Sequence, residues 1–217
     1  NEHGGAIFIN TDDGSDVLVT DSVFQENEAH SSGGALYITG AQNVDLFRNR
    51  FLDNAAESPA SYDRYGGAVS LSYVDAIDVN NSIFCGNYVN KFSTKTSYGG
   101  ALYVNTVTEM VLSNTIVQDN ESEENGGGLA SFAVGDLVLV NNSFVGNASL
   151  QGDGLWLGSS STDLINNIFS DSSGSSAVYA ADSTSASGTV SYNDWYGNTS
   201  DRSGSFAFSV TGNGNIT

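Results

Sequence analysis

Apolar and polar residues alternate with period 2 in short runs along the whole chain. Leu36-Tyr37-Ile38 is one such run, Val44-Asp45-Leu46-Phe47 the next, and the segment around Phe51 a third. Asn, Asp, Gly and Ser fill the gaps, and no 3.6-residue pattern lasts long enough for a helix. Such alternation, broken every few residues by turn formers, predicts short β-strands.

The runs recur as units marked by two signatures. The first is Gly4-Gly5-Ala6-Ile7, repeated as Gly33-Gly34-Ala35-Leu36, Gly66-Gly67-Ala68-Val69 and Gly99-Gly100-Ala101-Leu102. It continues in degraded form from Gly126, Gly152, Ser175 and Gly204. The second is Phe-x-x-Asn, as in Phe24 to Asn27, Phe51 to Asn54, Phe84 to Asn87 and Phe144 to Asn147. Unit starts near 4, 33, 66, 99, 126, 152, 175 and 204 give periods of 29, 33, 33, 27, 26, 23 and 29 residues. Units of this length fit one coil of a parallel β-helix, whereas a propeller blade needs roughly 40 residues. The expectation is an all-β, single-stranded parallel β-helix, one domain over 1–217, of about seven to eight coils.

Stacking the units predicts which side chains meet. Ile7, Leu36, Val69, Leu102, Leu129, Leu155 and Val178 fall in one inward column, and Phe24, Phe51, Phe84, Phe144 and Phe169 in another. Asn27, Asn54, Asn87, Asn120, Asn147 and Asn198 would form a corner ladder, each amide bonding its neighbour on the next coil.

The paired signatures resemble the repeat of polymorphic outer-membrane proteins, surface adhesins with autotransporter passenger regions, and of other secreted bacterial β-helix proteins. The resemblance runs from residue 4 to about 198 and is most faithful through Asn147. It implies a right-handed coil and an extracellular or bacterial cell-surface location.

Charge narrows the functional classes. There are 25 Asp and Glu against 6 Lys and Arg, a net charge of −19, which disfavours nucleic acid and anionic lipid. Apolar residues make up 39%, enough for a core, with no run long enough for a transmembrane helix. The single cysteine, Cys85, permits no internal disulfide. The chain starts without Met or a signal peptide and so reads as a mature segment or fragment. Its first residues supply no cap for a solenoid, which suggests an adjacent domain or self-association.

Two candidate contact surfaces emerge. Between the inward aliphatics stand Phe8, Tyr37, Ser70, Tyr103, Ala130, Trp156, Tyr179 and Phe208. Alternation turns this column outward, where aromatic faces would meet a glycan or a surface protein unless loops cover them. Segments 55–65 and 88–98 are the long connections, carrying Tyr62, Arg64, Tyr65, Lys91, Phe92 and Lys95. A basic, aromatic rim of this kind would suit an anionic glycan or a protein partner.

Catalytic and metal readings are thinner. Asp45 and Asp78 share one offset and fall on adjacent coils, the spacing of a retaining glycosidase pair. Nothing apolar in the sequence around them would raise one pKa, so solvated carboxylates are the expectation. Arg48 and Arg50 with Asp45 are the best that can be assembled for a lyase. Asp12, Asp13 and Asp16 hold the acids of a calcium turn but lack the closing Glu of an EF-hand. Weak calcium binding there rests on charge alone, and no other cofactor is expected. The sequence therefore reads as a non-catalytic extracellular module (adhesin, spacer or structural). The alternatives are a polysaccharide lyase or glycoside hydrolase, and a fibre-forming subunit.

Overall fold

The computed structural model describes residues 2–11, 14–57, 63–90, 95–181, 186–205 and 216, and the chain is a parallel β-helix. Every strand pair among the described residues is parallel, and each joins a strand to its counterpart one coil away. The strands form sheets of thirteen, seven, four and two members. Three strands of twelve residues, Val69–Asn80, Leu102–Ser113 and Leu129–Val140, pair in the middle of the largest sheet.

The inward columns are vertical. Ile7, Leu36, Val69, Leu102, Leu129, Leu155 and Val178 are successive register partners. Phe24, Phe51, Phe84, Val117, Phe144, Phe169 and Trp195 form the second column. Its rings stack face to face, with centroids 4.9 Å apart for Phe24–Phe51, 4.8 Å for Phe51–Phe84 and 5.0 Å for Phe144–Phe169. These side chains join one continuous core. Each buried Phe contributes about 1.5–3 kcal/mol through removal of apolar surface from water. On the first coil, Ile7, Ile9, Val17 and Val19 pack on this core and are partly buried.

The last register departs from the sequence expectation. The strand Ser200–Gly204 sets Arg202 beside Val178 and Ser203 beside Tyr179. The chain returns to the sheet sooner than a unit starting at Gly204 would allow, because only Thr199 separates Asn198 from this strand.

Corner geometry explains the glycine pairs. A Cβ on Gly34 would be driven into the carbonyl oxygens of Gly67 and Ala55, so stacked coils leave no room for a side chain there. Another corner stands in the left-handed region at Asp21, Arg48, Asn81, Asn114, Asn141, Asn166 and Tyr192. Asn and Asp tolerate that conformation best among side-chain-bearing residues, which accounts for most of the list. A further left-handed corner starts with two acids, Glu26 and Asp53, and from Asp53 on Asp and Gly take turns: Asp53, Gly86, Asp119, Gly146, Asp171, Gly197. A Cβ on Gly86 would collide with the Asp53 carboxylate, one on Gly146 with that of Asp119, and one on Gly197 with that of Asp171. Each carboxylate lies over the bare Cα of the next coil.

Two amide ladders tie the coils together. Asn27, Asn54, Asn87 and Asn120 each donate from Nδ2 to Oδ1 of the next Asn, at 2.9, 2.9, 2.9 and 3.0 Å, ending on Asn147. Ser172 interrupts the column, and its backbone N–H donates to Asn198 Oδ1 at 3.2 Å. The second ladder stands two residues before the Phe column: Asn49, Ser82, Thr115, Asn142, Asn167 and Asn193. Asn142 Nδ2 donates to Asn167 Oδ1 at 3.1 Å, and Asn167 Nδ2 to Asn193 Oδ1 at 3.1 Å. Ser82 and Thr115 accept from the backbone of Asn49 and Ser82 through their hydroxyls.

Candidate functional site

The outward column beside the glycine pairs is aromatic and largely covered. Phe8, Tyr37, Ser70, Tyr103, Ala130, Trp156 and Tyr179 are register partners in that order. Phe208 lies outside the described residues. At the first coils Phe8 is 51% exposed and Tyr37 half-buried, their rings parallel to within 1° at 5.3 Å, with His3 stacked on Tyr37 at 4.8 Å. Lower down, Tyr103 is 7% exposed and Trp156 6%. Tyr179 is half-buried.

The cover comes from the two long connections. Strands Arg64–Tyr65 and Ser97–Tyr98 pair with each other and bring Tyr65 and Tyr98 over the column. Tyr65 meets Tyr103 at 4.6 Å, while Tyr98 meets Tyr103 at 5.9 Å and the edge of Trp156 at 5.4 Å. Small residues at Ser70 and Ala130 alternate with the large rings and leave the slots that these two tyrosines fill. Burial, with Asp63 and then Tyr98 adding to it, pushes the Tyr65 phenol up to about 12. Tyr98 is raised by burial first, then by Asp63 and Glu124. Tyr103 is raised further still, chiefly by burial.

The expected basic rim is not what the described residues form. Arg64 is fully buried, its Nη1 donating to the Asn90 carbonyl at 3.0 Å. It turns inward because its strand places it on the covered side. Desolvation lowers its pKa, while Glu123 and Glu57 pull the other way. Lys95 is half-buried, and Tyr62, Lys91 and Phe92 lie outside the described residues. The charges that act on the phenols of this flank are carboxylates.

Beside the aromatic column runs a second outward column: Asn10, Thr39, Ser72, Asn105 and Phe132. From Phe8 to Tyr179 neither column holds a charged residue. Phe132 is 47% exposed and stacks on Trp156 with centroids 6.4 Å apart. The corner that follows is left-handed at Gly40, Tyr73, Thr106 and Ala133. Tyr73 holds φ at 55° with its ring 64% exposed. It lines a shallow surface depression with Asp75, Thr106 and Ala133.

A different face carries the acids. Asp45 and Asp78 are direct register partners and line an open groove of about 450 Å³ with Asp16, Asn43 and Glu109. Contrary to the sequence expectation, one of the pair is perturbed: burial first, and Asp45 second, raise the Asp78 pKa from its ordinary value. Ala76, Ile77 and Val111 supply the apolar surroundings. Arg48 is not poised beside Asp45 as a base. It makes a two-pronged pair with Asp21, both bonds 2.6 Å, and holds that carboxyl down at about 2. Asp16 accepts from Asn43 Nδ2 at 2.6 Å, and Asp12 and Asp13 lie outside the described residues. Among the described residues no three His, Cys, Asp or Glu side chains converge as a metal site.

Residues 21–39 match the Chlamydia polymorphic membrane protein (Chlamydia_PMP) repeat. The matched span runs from the left-handed corner at Asp21 through Phe24 and Asn27 to the end of the strand Leu36–Thr39. It thus holds one copy of each signature, and the same positions recur in register on the following coils. Comparison with curated proteins and with solved structures gave no match. No described helix is long and apolar enough to cross a membrane.

Proposed function

We propose that this chain is a non-catalytic, surface-displayed β-helix module that holds an extracellular partner against its aromatic flank. Surface display draws support from the matched repeat, which belongs to a bacterial membrane protein family. The observation that carries the binding role is the flank itself. A rigid cluster of buried rings is bordered by Phe132, 47% exposed and stacked on Trp156, and its column continues to the stacked pair Phe8 and Tyr37 on the first coils. Phe132 leaves a large apolar face in water beside that cluster, and exposed apolar surface next to a rigid aromatic cluster marks a contact site. The ladders and ring stacks make the scaffold stiff, so the flank needs no ordering on contact.

The test is binding of the purified chain to immobilised glycan and surface-protein panels, beside a Phe8→Ala/Tyr37→Ala variant. The variant should lose at least tenfold in affinity with unchanged circular dichroism. Binding that survives the double substitution would overturn the role of the flank.

A second reading, glycoside hydrolysis, has one observation in its favour: Asp78 is raised beside Asp45 on the adjacent strand. Strand neighbours stand about 4.8 Å apart, near the separation of retaining carboxylate pairs. Reducing-sugar release that disappears in Asp78→Asn would establish it.

A further inference from the structure

The seven-stranded sheet, from Val23–Gln25 to Asp194–Tyr196, is built of three-residue strands whose first and last residues point outward. One outward column runs from Arg50 through Ile83, Ile116, Ser143 and Ile168 to Asp194. The other holds no charged residue from Leu52 to Tyr196. Ile116 is 42% exposed, Ile168 43% and Tyr196 71%. The result is an apolar stripe with one cation near its start and one acid at its end, on a chain that is otherwise strongly acidic.

We propose that this stripe pairs face to face with the same stripe of a second copy, the two rods running antiparallel. A two-fold axis along the strands keeps each column opposite itself with the order of coils reversed. Set between the coils of Ile116 and Ser143, the axis brings Arg50 of each copy to Asp194 of the other. The same operation sets Ile83 against Ile168 and Leu52 against Tyr196. Arg50 and Asp194 stand five rungs apart in their own chain, about 24 Å, so they cannot meet within it. Among the described residues neither makes an ion pair with its own chain.

The Asp and Gly seam that borders this sheet selects the same register. With the axis so placed, Asp53 comes opposite Gly197, Asp119 opposite Gly146 and Asp171 opposite Gly86. Sliding one copy by a single coil sets Asp119 against Asp119 and Asp53 against Asp171, and parts Arg50 from Asp194. Like charges so placed disfavour that register. Parallel rods do no better, because the Arg50 column then lies on the uncharged one and both charges go unpaired. Six rungs, with the bordering corners, span roughly 29 Å by 17 Å, about 500 Å² per copy, at the low end for a specific interface. With a net charge of −19 on each copy the dimer is weak, with a Kd on the order of 0.1 mM.

Sedimentation equilibrium between about 10 µM and about 1 mM tests the pairing. The samples are the parent chain, Arg50→Asp, Asp194→Arg, the double variant Arg50→Asp/Asp194→Arg, and Ile116→Asp. The parent should form a reversible dimer. Each single reversal should weaken it at least tenfold, and the double reversal should restore it to within about threefold. Ile116→Asp should abolish it with unchanged Tm, and should that variant melt early, the reversal and rescue series decides alone. A parent that stays monomeric throughout would overturn the proposal. So would a double variant no tighter than the singles, or a dimer indifferent to a well-folded Ile116→Asp.

Discussion

The ring of Tyr65 rests on that of Tyr103, centroids 4.6 Å apart, closing over a column that alternation alone turns toward solvent. Tyr103 therefore behaves as a core residue on the outside of the coil. Tyr103→Ala should cost about 3 kcal/mol in denaturant unfolding, because it empties a site walled by Tyr65 and Tyr98. Phe8→Ala, at 51% exposure, should cost under about 1 kcal/mol. Equal effects would mean that the covering tyrosines do not seal the column.

The Asn ladder makes a sharper forecast. Asn87 Oδ1 accepts from the Asn54 backbone and side chain, and its Nδ2 donates to the Phe51 carbonyl and to Asn120 Oδ1. Asn87→Ala removes all four bonds in a buried site and leaves the Asn54 backbone N–H without its acceptor, while Asn54 Nδ2 keeps the Phe24 carbonyl and Asn120 Oδ1 keeps the backbone N–H of residue 87. An unmet buried group costs about 1–3 kcal/mol. The expected loss is roughly 3 kcal/mol or more, with Asn198→Ala much milder because that position is half-exposed. Equilibrium unfolding of the two variants side by side decides it.

Glycine substitutions should separate space from conformation. Gly34→Ala forces a methyl against the carbonyls of Gly67 and Ala55 and should prevent the coils from stacking. Gly14 is also left-handed, but a Cβ there would meet nothing closer than Gln42 Cβ at 4.0 Å. Gly14→Ala should cost only about 1 kcal/mol, the ordinary penalty of a left-handed alanine. Soluble yield and thermal melting would tell them apart.

Alkaline pH should loosen the surroundings of Tyr65 on the flank and of Tyr88 on the strand Tyr88–Val89 before the rest. Tyr65 and Tyr88 are both raised to about 12 from 10.0, burial being the larger cause in each. The folded state favours the protonated phenol, so this stabilisation is complete below pH 10 and is lost as pH rises through 12. Absorbance titration at the phenolate band should show a late class of tyrosines that ionise together with unfolding. Titration of every tyrosine near pH 10 in the folded protein would contradict their burial.

What could be read from the sequence was whatever repeats. Identical offsets placed Leu36, Val69 and Leu102 in one column and Phe51 beside Phe84, because stacking converts periodicity directly into contact. The second ladder was equally periodic, with Asn49, Ser82, Thr115, Asn142, Asn167 and Asn193 each two residues before the ring column. Its mixed Asn, Ser and Thr chemistry hid it, though all three can accept a backbone N–H. The contacts of Tyr65 and Tyr98 and the burial of Arg64 were not legible. They arise from two non-repeating connections, where no neighbouring coil gives the side chain's direction. Asp78 was misjudged for a related reason: its apolar surroundings include Val111 from the next coil, which is not near it in sequence.

The alternation of Asp53, Gly86, Asp119, Gly146, Asp171 and Gly197 bears on how such a rod can change length. Excising one unit would set two acidic side chains face to face at that edge, or two bare positions with nothing between them. Excising two preserves the interdigitation. From Asp53 onward this seam therefore favours the loss of turns in pairs, whereas at the first coils Glu26 and Asp53 already stand as acidic neighbours and no such counting applies.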